Sequence, residues 1–136
     1  MGLEVFRKLG EVSQELGHDI MKMHVVGSSL ISGDGNDIDI ICLGVSDDGL
    51  IEAGYELESV AGYDSNFHSW RKDDVNILQV DNPVYFLCEI AIARGAKCAA
   101  DMGADMSSRE KRVAFHAYVR SVVMEYIIEN GMGKIA

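Results

Sequence analysis

Residues 23–44 read MHVVGSSLISGDGNDIDIICLG, and this stretch decides the fold that we predict for the chain. Residues 24–26 are a short apolar run that is typical of a strand. Gly27 follows, and because it has no Cβ it allows the backbone to turn close to a ligand. Ser28 and Ser29 then begin a helical turn whose free amide groups attract phosphate. The stretch therefore predicts a strand followed by a phosphate-binding turn.

A second strand follows the turn-forming residues 32–36 and carries two acidic side chains. Residues 37–41 alternate polar and apolar side chains, which is the pattern of a strand. Asp37 and Asp39 therefore point to the same face of the sheet, roughly 7 Å apart. Two such carboxylates repel each other unless a cation lies between them. We expect Mg²⁺, or Mn²⁺ in its place, because Mg²⁺ is bound by a few carboxylates and completes its shell with phosphate and water.

These residues resemble the signature of a known superfamily. Gly27 and Ser28, eight further residues and then the sequence DIDI at 37–40 are similar to the motif of the DNA polymerase β-like nucleotidyltransferases. A second block, WRKDDVNIL at 70–78, resembles a block of the small nucleotidyltransferase-like proteins of tailed bacteriophages. The resemblance extends over residues 20–125. It implies an α+β fold in which a small mixed sheet of about four strands packs with helices, and in which the C-terminal third is helical.

The resemblance also implies a reaction and a role for each motif residue. The reaction is the transfer of a nucleoside monophosphate from an NTP to an acceptor, which is a protein, a tRNA or a small molecule. Asp37 and Asp39 would hold the Mg²⁺. The turn at Gly27, Ser28 and Ser29 would bind the triphosphate of the nucleotide.

In the superfamily, a third carboxylate from a neighbouring strand joins the pair. The position that matches it by its apolar neighbours is Asn76, and an amide cannot act as a general base. Asp74 has the same strand parity, so we predict that it is the third ligand and that Asn76 makes a polar contact to metal, water or ribose. Arg71 and Lys72 lie close by in the sequence and are candidate triphosphate ligands, or else the solvated tip of a hairpin.

Composition limits the remaining choices. A chain of 136 residues, 48% of them hydrophobic, is long enough for a single domain over 1–136 with a real core. The net charge of −10 argues against non-specific nucleic-acid binding. Three cysteines without metal-ligand spacing indicate reduced thiols and a cytoplasmic location, which would be the host cytoplasm for a phage protein. No apolar run has the length of a membrane span, so we expect no membrane association.

The rest of the chain predicts further elements around the two strands. We expect helices over residues 3–21 with a break near Gly17, from Ser46 to about residue 60, from Pro83 to Gly95 or Ala100, and to about Glu129 after a capping box of Ser107 and Glu110. We expect strands over residues 67–71 and 75–80, joined by a hairpin at 72–73, with Trp70 packed on the sheet.

Four other interpretations of the motifs remain open. The aspartates are solvated residues of an edge strand after an ordinary tight turn. The chain is a catalytically degenerate module that binds a nucleotide or a partner. It is a phage or toxin-like enzyme that modifies a host protein or tRNA. It uses the fold as a scaffold, with an acidic surface that binds a basic factor.

Overall fold

The computed structural model of the chain describes residues 3–32, 37–60 and 67–130. Helices and strands alternate as far as residue 60, two further strands follow directly, and two long helices come last. The elements are α1 (Leu3–Leu16), a short 3₁₀ helix (Ile20–Lys22), β1 (Met23–Val26), α2 (Ser28–Ser32), β2 (Ile38–Leu43), α3 (Asp47–Glu52), β3 (Glu56–Val60), β4 (His68–Lys72), β5 (Val75–Val80), α4 (Pro83–Asp101) and α5 (Arg109–Asn130).

The five strands form one mixed sheet in the order β1-β2-β5-β4-β3. Strands β2 and β5 run parallel, whereas the other neighbouring strands run antiparallel. The mixed sheet and the two C-terminal helices confirm the predicted α+β fold, with one strand more than the four expected. None of the helices in the described ranges is both long enough and apolar enough to span a membrane.

One face of the sheet packs against α1 and forms the core. The inward-facing side chains of the central strands are fully buried, because alternate residues of a strand point to the same face. The core residues of these strands are Ile38, Ile40, Cys42, Val75 and Ile77, and those of α1 are Val5, Leu9 and Val12. Trp70 is buried in the same core, as the sequence predicts, and its indole Nε1 donates a hydrogen bond to Oε1 of Gln79 at 2.8 Å.

The chain is divided into two compact units, Met1–Phe86 and Leu87–Ala136. The first contains the whole sheet. Within the second, Arg120 of α5 forms an ion pair with Glu89 of α4, with 2.6 Å between Nη1 and Oε1. The prediction of a single domain over 1–136 stays a prediction.

The helix that we expect from Ser46 to about residue 60 is wrong in its second half. Helix α3 begins as predicted, because Ser46 accepts a hydrogen bond from the amide of Gly49, but it ends at Glu52. Gly54 then adopts a φ of +96°, which a helix does not allow, and the chain continues as β3. The fifth strand of the sheet comes from this segment.

Three other boundaries differ from the prediction by smaller amounts. Helix α1 ends at Leu16, and Gly17 follows with a φ of +61°, so the predicted break ends the helix. The hairpin between β4 and β5 turns at residues 73–74 instead of 72–73. Ser108 caps α5, accepting a hydrogen bond from the amide of Lys111, and Ser107 instead donates to Asp105.

Candidate functional site

A row of polar side chains crosses the sheet on the face opposite α1. Asp39 of β2 pairs with Asn76 of β5, which in turn pairs with Arg71 of β4. These three residues share a face because directly paired residues of neighbouring strands point to the same side. The strand neighbours of Asp39, which are Ile38 and Ile40, point into the core instead. The row therefore lies on the central strands of the sheet, on the face away from α1.

Gly27 lies directly against the carboxylate of Asp39. A Cβ built on Gly27 would be 2.6 Å from Oδ2 of Asp39, which is closer than any real side chain allows. The residue also has a φ of +77°, in the left-handed region that favours glycine. Glycine is thus required here for two independent reasons. The Gly-Ser turn and the acidic strand, which are separate in the sequence, meet at this point.

Burial raises the pKa of the Asp39 carboxyl, and the neighbouring charges act in both directions. A hydrogen bond from the side chain of Asn76 and the positive charge of Arg71 stabilise the ionised form, whereas the negative charges of Asp37 and Glu58 disfavour it. Asp39 is thus a partly buried acid with two acidic neighbours. A cation bound beside it would stabilise its charged form.

Asp37 lies just before β2, and its side chain is 83% exposed. Its φ of +50° places it outside the regular strand. Its Oδ1 is 3.6 Å from Nη1 of Arg71, the residue whose charge also acts on Asp39. The structure therefore brings Asp37 and Asp39 to the same guanidinium, on the same side of the sheet.

Asn76 is held in a fixed orientation beside Asp39. Its Oδ1 accepts a hydrogen bond from Oγ of the buried Ser69 at 2.7 Å. Its NH₂ group is then the part that faces the carboxylate, because the amide oxygen is already in use. Asn76 therefore acts as a donor that orients Asp39. Its predicted contact with metal, water or ribose stays a prediction.

The structure does not bring Asp74 or Lys72 into this row. Asp74 lies in the turn before β5, where its carboxylate is 3.4 Å from Nζ of Lys8 on α1. Nζ of Lys72 forms an ion pair with Glu15 of α1 at 2.6 Å and donates to the carbonyl of Ala53. Both side chains thus reach the side of the sheet that packs on α1.

The reason for these differences is the local backbone. Lys72 follows Arg71 in one strand, and successive strand residues point to opposite faces, so the side chain of Lys72 leaves β4 on the face opposite to the row. Asp74 falls in the turn, where Asp73 has a φ of +53° and the alternation of β5 does not yet apply. The expected grouping of Asp74 and Lys72 with Asp39 is therefore not found.

Glu58 joins Asp37 and Asp39 in a cluster of acids around Arg71, which no sequence motif indicates. Its Oε2 accepts a hydrogen bond from Nε of Arg71 at 2.7 Å, and its charge acts on Asp39. The register of β3 against β4 shifts between Leu57 and Ser59, so Glu58 lies in a β-bulge. Bulges redirect side chains and are frequent beside active sites. The alternation of apolar and polar residues over 55–58 is the signal that would have revealed this strand.

The two serines of the turn lie at the beginning of α2. The side chain of Ser29 is buried, with 2% exposure, and its Oγ has no hydrogen-bond partner among the described residues. An unpartnered buried hydroxyl is unusual in folded proteins. The hydroxyl of Ser29 therefore does not face solvent, and its predicted role in nucleotide binding stays a prediction.

An open cavity of about 380 Å³ adjoins the cluster. Arg71 and Glu58 line it and also belong to the row around Asp39, so the two features share a wall. Its other lining residues are Gly54, Glu56, Leu57, Lys72 and Asp73. A molecule bound in this cavity would lie next to the guanidinium of Arg71.

The acidic residues of the site can supply two of the ligands of a divalent cation. Within the described ranges, no group of three or more His, Cys, Asp and Glu side chains is arranged to hold a metal ion. Asp37 and Asp39 are two oxygen ligands on one side, and Mg²⁺ in nucleotide sites is commonly bound by one or two carboxylates together with phosphate oxygens. The chain thus offers part of a coordination shell, which a triphosphate would complete.

Comparison with known proteins gives one distant likeness. No protein-family model matches the chain, and no curated protein matches it. The fold is similar to the crystal structure of the conserved protein GrpB from Enterococcus faecalis, with a TM-score of 0.52 and 19% sequence identity, over 88% of this chain and 90% of that chain. At this level of identity the likeness shows that the two chains share a fold.

Proposed function

We propose that the protein is a Mg²⁺-dependent nucleotidyltransferase that moves a nucleoside monophosphate from an NTP to an acceptor. The observation that carries the proposal is the contact of Gly27 with Asp39. A turn of the kind that binds phosphate lies against a partly buried carboxylate, and Asp37 lies on the same side of the sheet. The resemblance of these residues to the nucleotidyltransferase motif supports the same reading.

In this proposal the residues of the site have separate tasks. Asp37 and Asp39 hold the Mg²⁺, and Asn76 keeps the carboxylate of Asp39 in place. The backbone amides of Gly27 and Ser28 bind the triphosphate. When bound, the metal neutralises phosphate charge and lowers the pKa of the acceptor hydroxyl.

The reaction is an in-line displacement at the α-phosphorus. A bond forms between this phosphorus and the acceptor oxygen, and the bond to the oxygen that bridges to the β-phosphate breaks. Pyrophosphate leaves with that electron pair, and the proton of the acceptor hydroxyl passes to solvent. The acceptor is a hydroxyl of a protein, a tRNA or a small molecule.

Calorimetry with MgCl₂ and each NTP, followed by an assay of pyrophosphate release, tests the proposal. We expect one NTP to bind in a Mg²⁺-dependent way, and Asp39→Asn and Asp37→Asn to abolish that binding. Asp48→Asn is the matched control, because it removes the same charge from an exposed position in the first turn of α3. Equal nucleotide binding by wild type and Asp39→Asn would contradict the proposal.

A second candidate is a module that binds a nucleotide or a partner without catalysis. Asn76 stands where the superfamily has a carboxylate, and Arg71 already pairs with Asp37 and Glu58. Mg²⁺-dependent NTP binding without pyrophosphate release, over a range of acceptors, would favour this candidate. The bacteriophage relationship and the cytoplasmic location remain predictions from the sequence.

A further inference from the structure

Arg71 is the positive centre of the acidic cluster. Its guanidinium contacts two carboxylates from different directions, with 2.7 Å from Nε to Glu58 and 3.6 Å from Nη1 to Asp37. Its charge also stabilises the ionised form of Asp39. Strand pairing fixes this position, because Arg71 lies opposite Asn76, which lies opposite Asp39. Two acids thus contact one guanidinium, and its charge also acts on a third.

The fold brings each of the two contacted acids to Arg71 from a different segment of the chain. Glu58 reaches the guanidinium from the bulge of β3, so the bulge serves to aim this side chain. Asp37 itself has a left-handed backbone conformation just before β2, and its carboxylate contacts the guanidinium from there. Neither acid has another ion-pair partner within the ranges that the structure describes. Arg71 therefore occupies the position of a cation between them.

We infer that Arg71 is a built-in counter-cation that competes with a divalent metal ion for the carboxylates of the site. This inference rests on the proposed function, and it adds a control on metal binding to it. A metal ion that binds Asp37 and Asp39 must displace the guanidinium or bind against its charge. The free protein is thus held in a state with low affinity for metal alone.

The same geometry predicts when metal binding becomes favourable. A triphosphate arrives with its own negative charge, which gives the displaced guanidinium a new partner. Metal and nucleotide then bind together, whereas metal alone binds weakly. Arg71 suits this exchange because it also lines the open cavity, so its guanidinium can leave the acids without entering the core.

Titration of the full chain with Mn²⁺ alone tests the inference. We expect Arg71→Gln to bind Mn²⁺ about fivefold or more tightly than wild type. Two unit charges about 4 Å apart interact by about 1 kcal/mol even in the dielectric of water, which corresponds to about fivefold in affinity, and Mn²⁺ carries two charges. Arg71→Lys keeps the charge and should stay near the wild-type affinity. Unchanged or weaker Mn²⁺ binding by a folded Arg71→Gln variant would overturn the inference, as would the absence of Mn²⁺ binding in every variant.

Arg7→Gln is the matched control for net charge. Arg7 also bridges two carboxylates, those of Glu4 and Glu11, but it lies on the exposed side of α1. Its replacement should leave the affinity for Mn²⁺ near that of wild type. An equal gain in Arg7→Gln would show that the effect comes from overall charge and would overturn the inference.

A parallel measurement with NTP separates this inference from the proposed function. Tighter Mn²⁺ binding by Arg71→Gln, in a protein that neither binds nor turns over any NTP, would support the counter-cation and contradict nucleotidyl transfer. Turnover of NTP by wild type, combined with equal Mn²⁺ affinities of wild type and Arg71→Gln, would support the transferase and overturn the counter-cation.

Discussion

Replacing Gly27 with alanine perturbs the contact on which the candidate site depends. The added Cβ would lie 2.6 Å from Oδ2 of Asp39, so the carboxylate must move. A non-glycine residue in the left-handed region costs about 1–2 kcal/mol of folding free energy. If the displaced carboxylate also loses its hydrogen bond from Asn76, a further loss of about 1.5–3 kcal/mol follows, which is the usual contribution of a hydrogen bond to a charged group.

Gly44→Ala separates the backbone cost from the clash. Gly44 has a φ of +78°, almost the same as the +77° of Gly27, but no atom lies within 4 Å of the position of its Cβ. A gain of about 0.4–1 kcal/mol from the less flexible unfolded chain applies equally to both variants. The difference between the losses in free energy of unfolding of the two variants therefore contains only the effect of the clash with Asp39.

The assay is thermal and urea unfolding of both variants, each also made in an Asp39→Ala background. We expect Gly27→Ala to lower Tm by roughly 6–12 °C more than Gly44→Ala, taking about 4 °C for each kcal/mol in a chain of this size. In the Asp39→Ala background the excess should disappear, because the oxygen that clashes is gone and only an ordinary contact of 3.5 Å to the Cβ remains. Equal decreases in Tm for Gly27→Ala and Gly44→Ala, when Asp39 is present, would refute the contact.

Three further predictions follow from individual residues. Asp39→Asn should raise Tm at pH 7. Burial raises the pKa of Asp39, so the native protein loses stability as the pH rises through this raised pKa and the carboxyl ionises. The gain should vanish at a pH below the ordinary pKa of an aspartate, where the carboxyl is protonated in the folded and the unfolded protein. Lys72→Gln should lower the free energy of unfolding by about 0.5–1 kcal/mol, since it breaks a partly exposed ion pair with Glu15, and it should leave the affinity for Mn²⁺ unchanged. Burial raises the pKa of the Cys42 thiol to about 12, so at pH 8 a disulfide reagent should label the exposed Cys98 quickly and Cys42 only after unfolding.

The sequence predicted the parts of the fold that depend on local patterns. The strands predicted over 24–26 and 37–41 and the turn at Gly27 follow from apolar periodicity and glycine chemistry. The structure confirms them as β1, β2 and the turn between β1 and α2, except that Asp37 lies just before β2. The structure also confirms the helix that begins at Pro83. The sequence predicts its start from this proline and from the capping side chain of Asn82, which accepts a hydrogen bond from the amide of Val84. These signals act over a few residues, so they do not depend on pairing between distant segments.

The parts that could not be predicted depend on pairing between distant segments. Glu58 joins the cluster only because β3 pairs with β4 across a bulge, and the sequence does not specify that register. The absence of Lys72 from the row is different, since strand alternation predicts that its side chain leaves β4 on the other face from that of Arg71. Asp74 shows the limit of that rule, because the rule fails once a residue enters a turn.

The position of Asp39 argues against the interpretation of this aspartate as a solvated residue of an edge strand. Strand β2 lies between β1 and β5, so it is not an edge of the sheet, and Asp39 is partly buried with a raised pKa. An ionised acid in such a place lowers stability unless a partner compensates for it. The chain keeps this acid and also holds Gly27, Asn76 and Arg71 around it, which a fold alone does not need. Residues that break the rules of stability in this concerted way are expected at functional sites, and this is why the row around Asp39 is the place to test for catalysis.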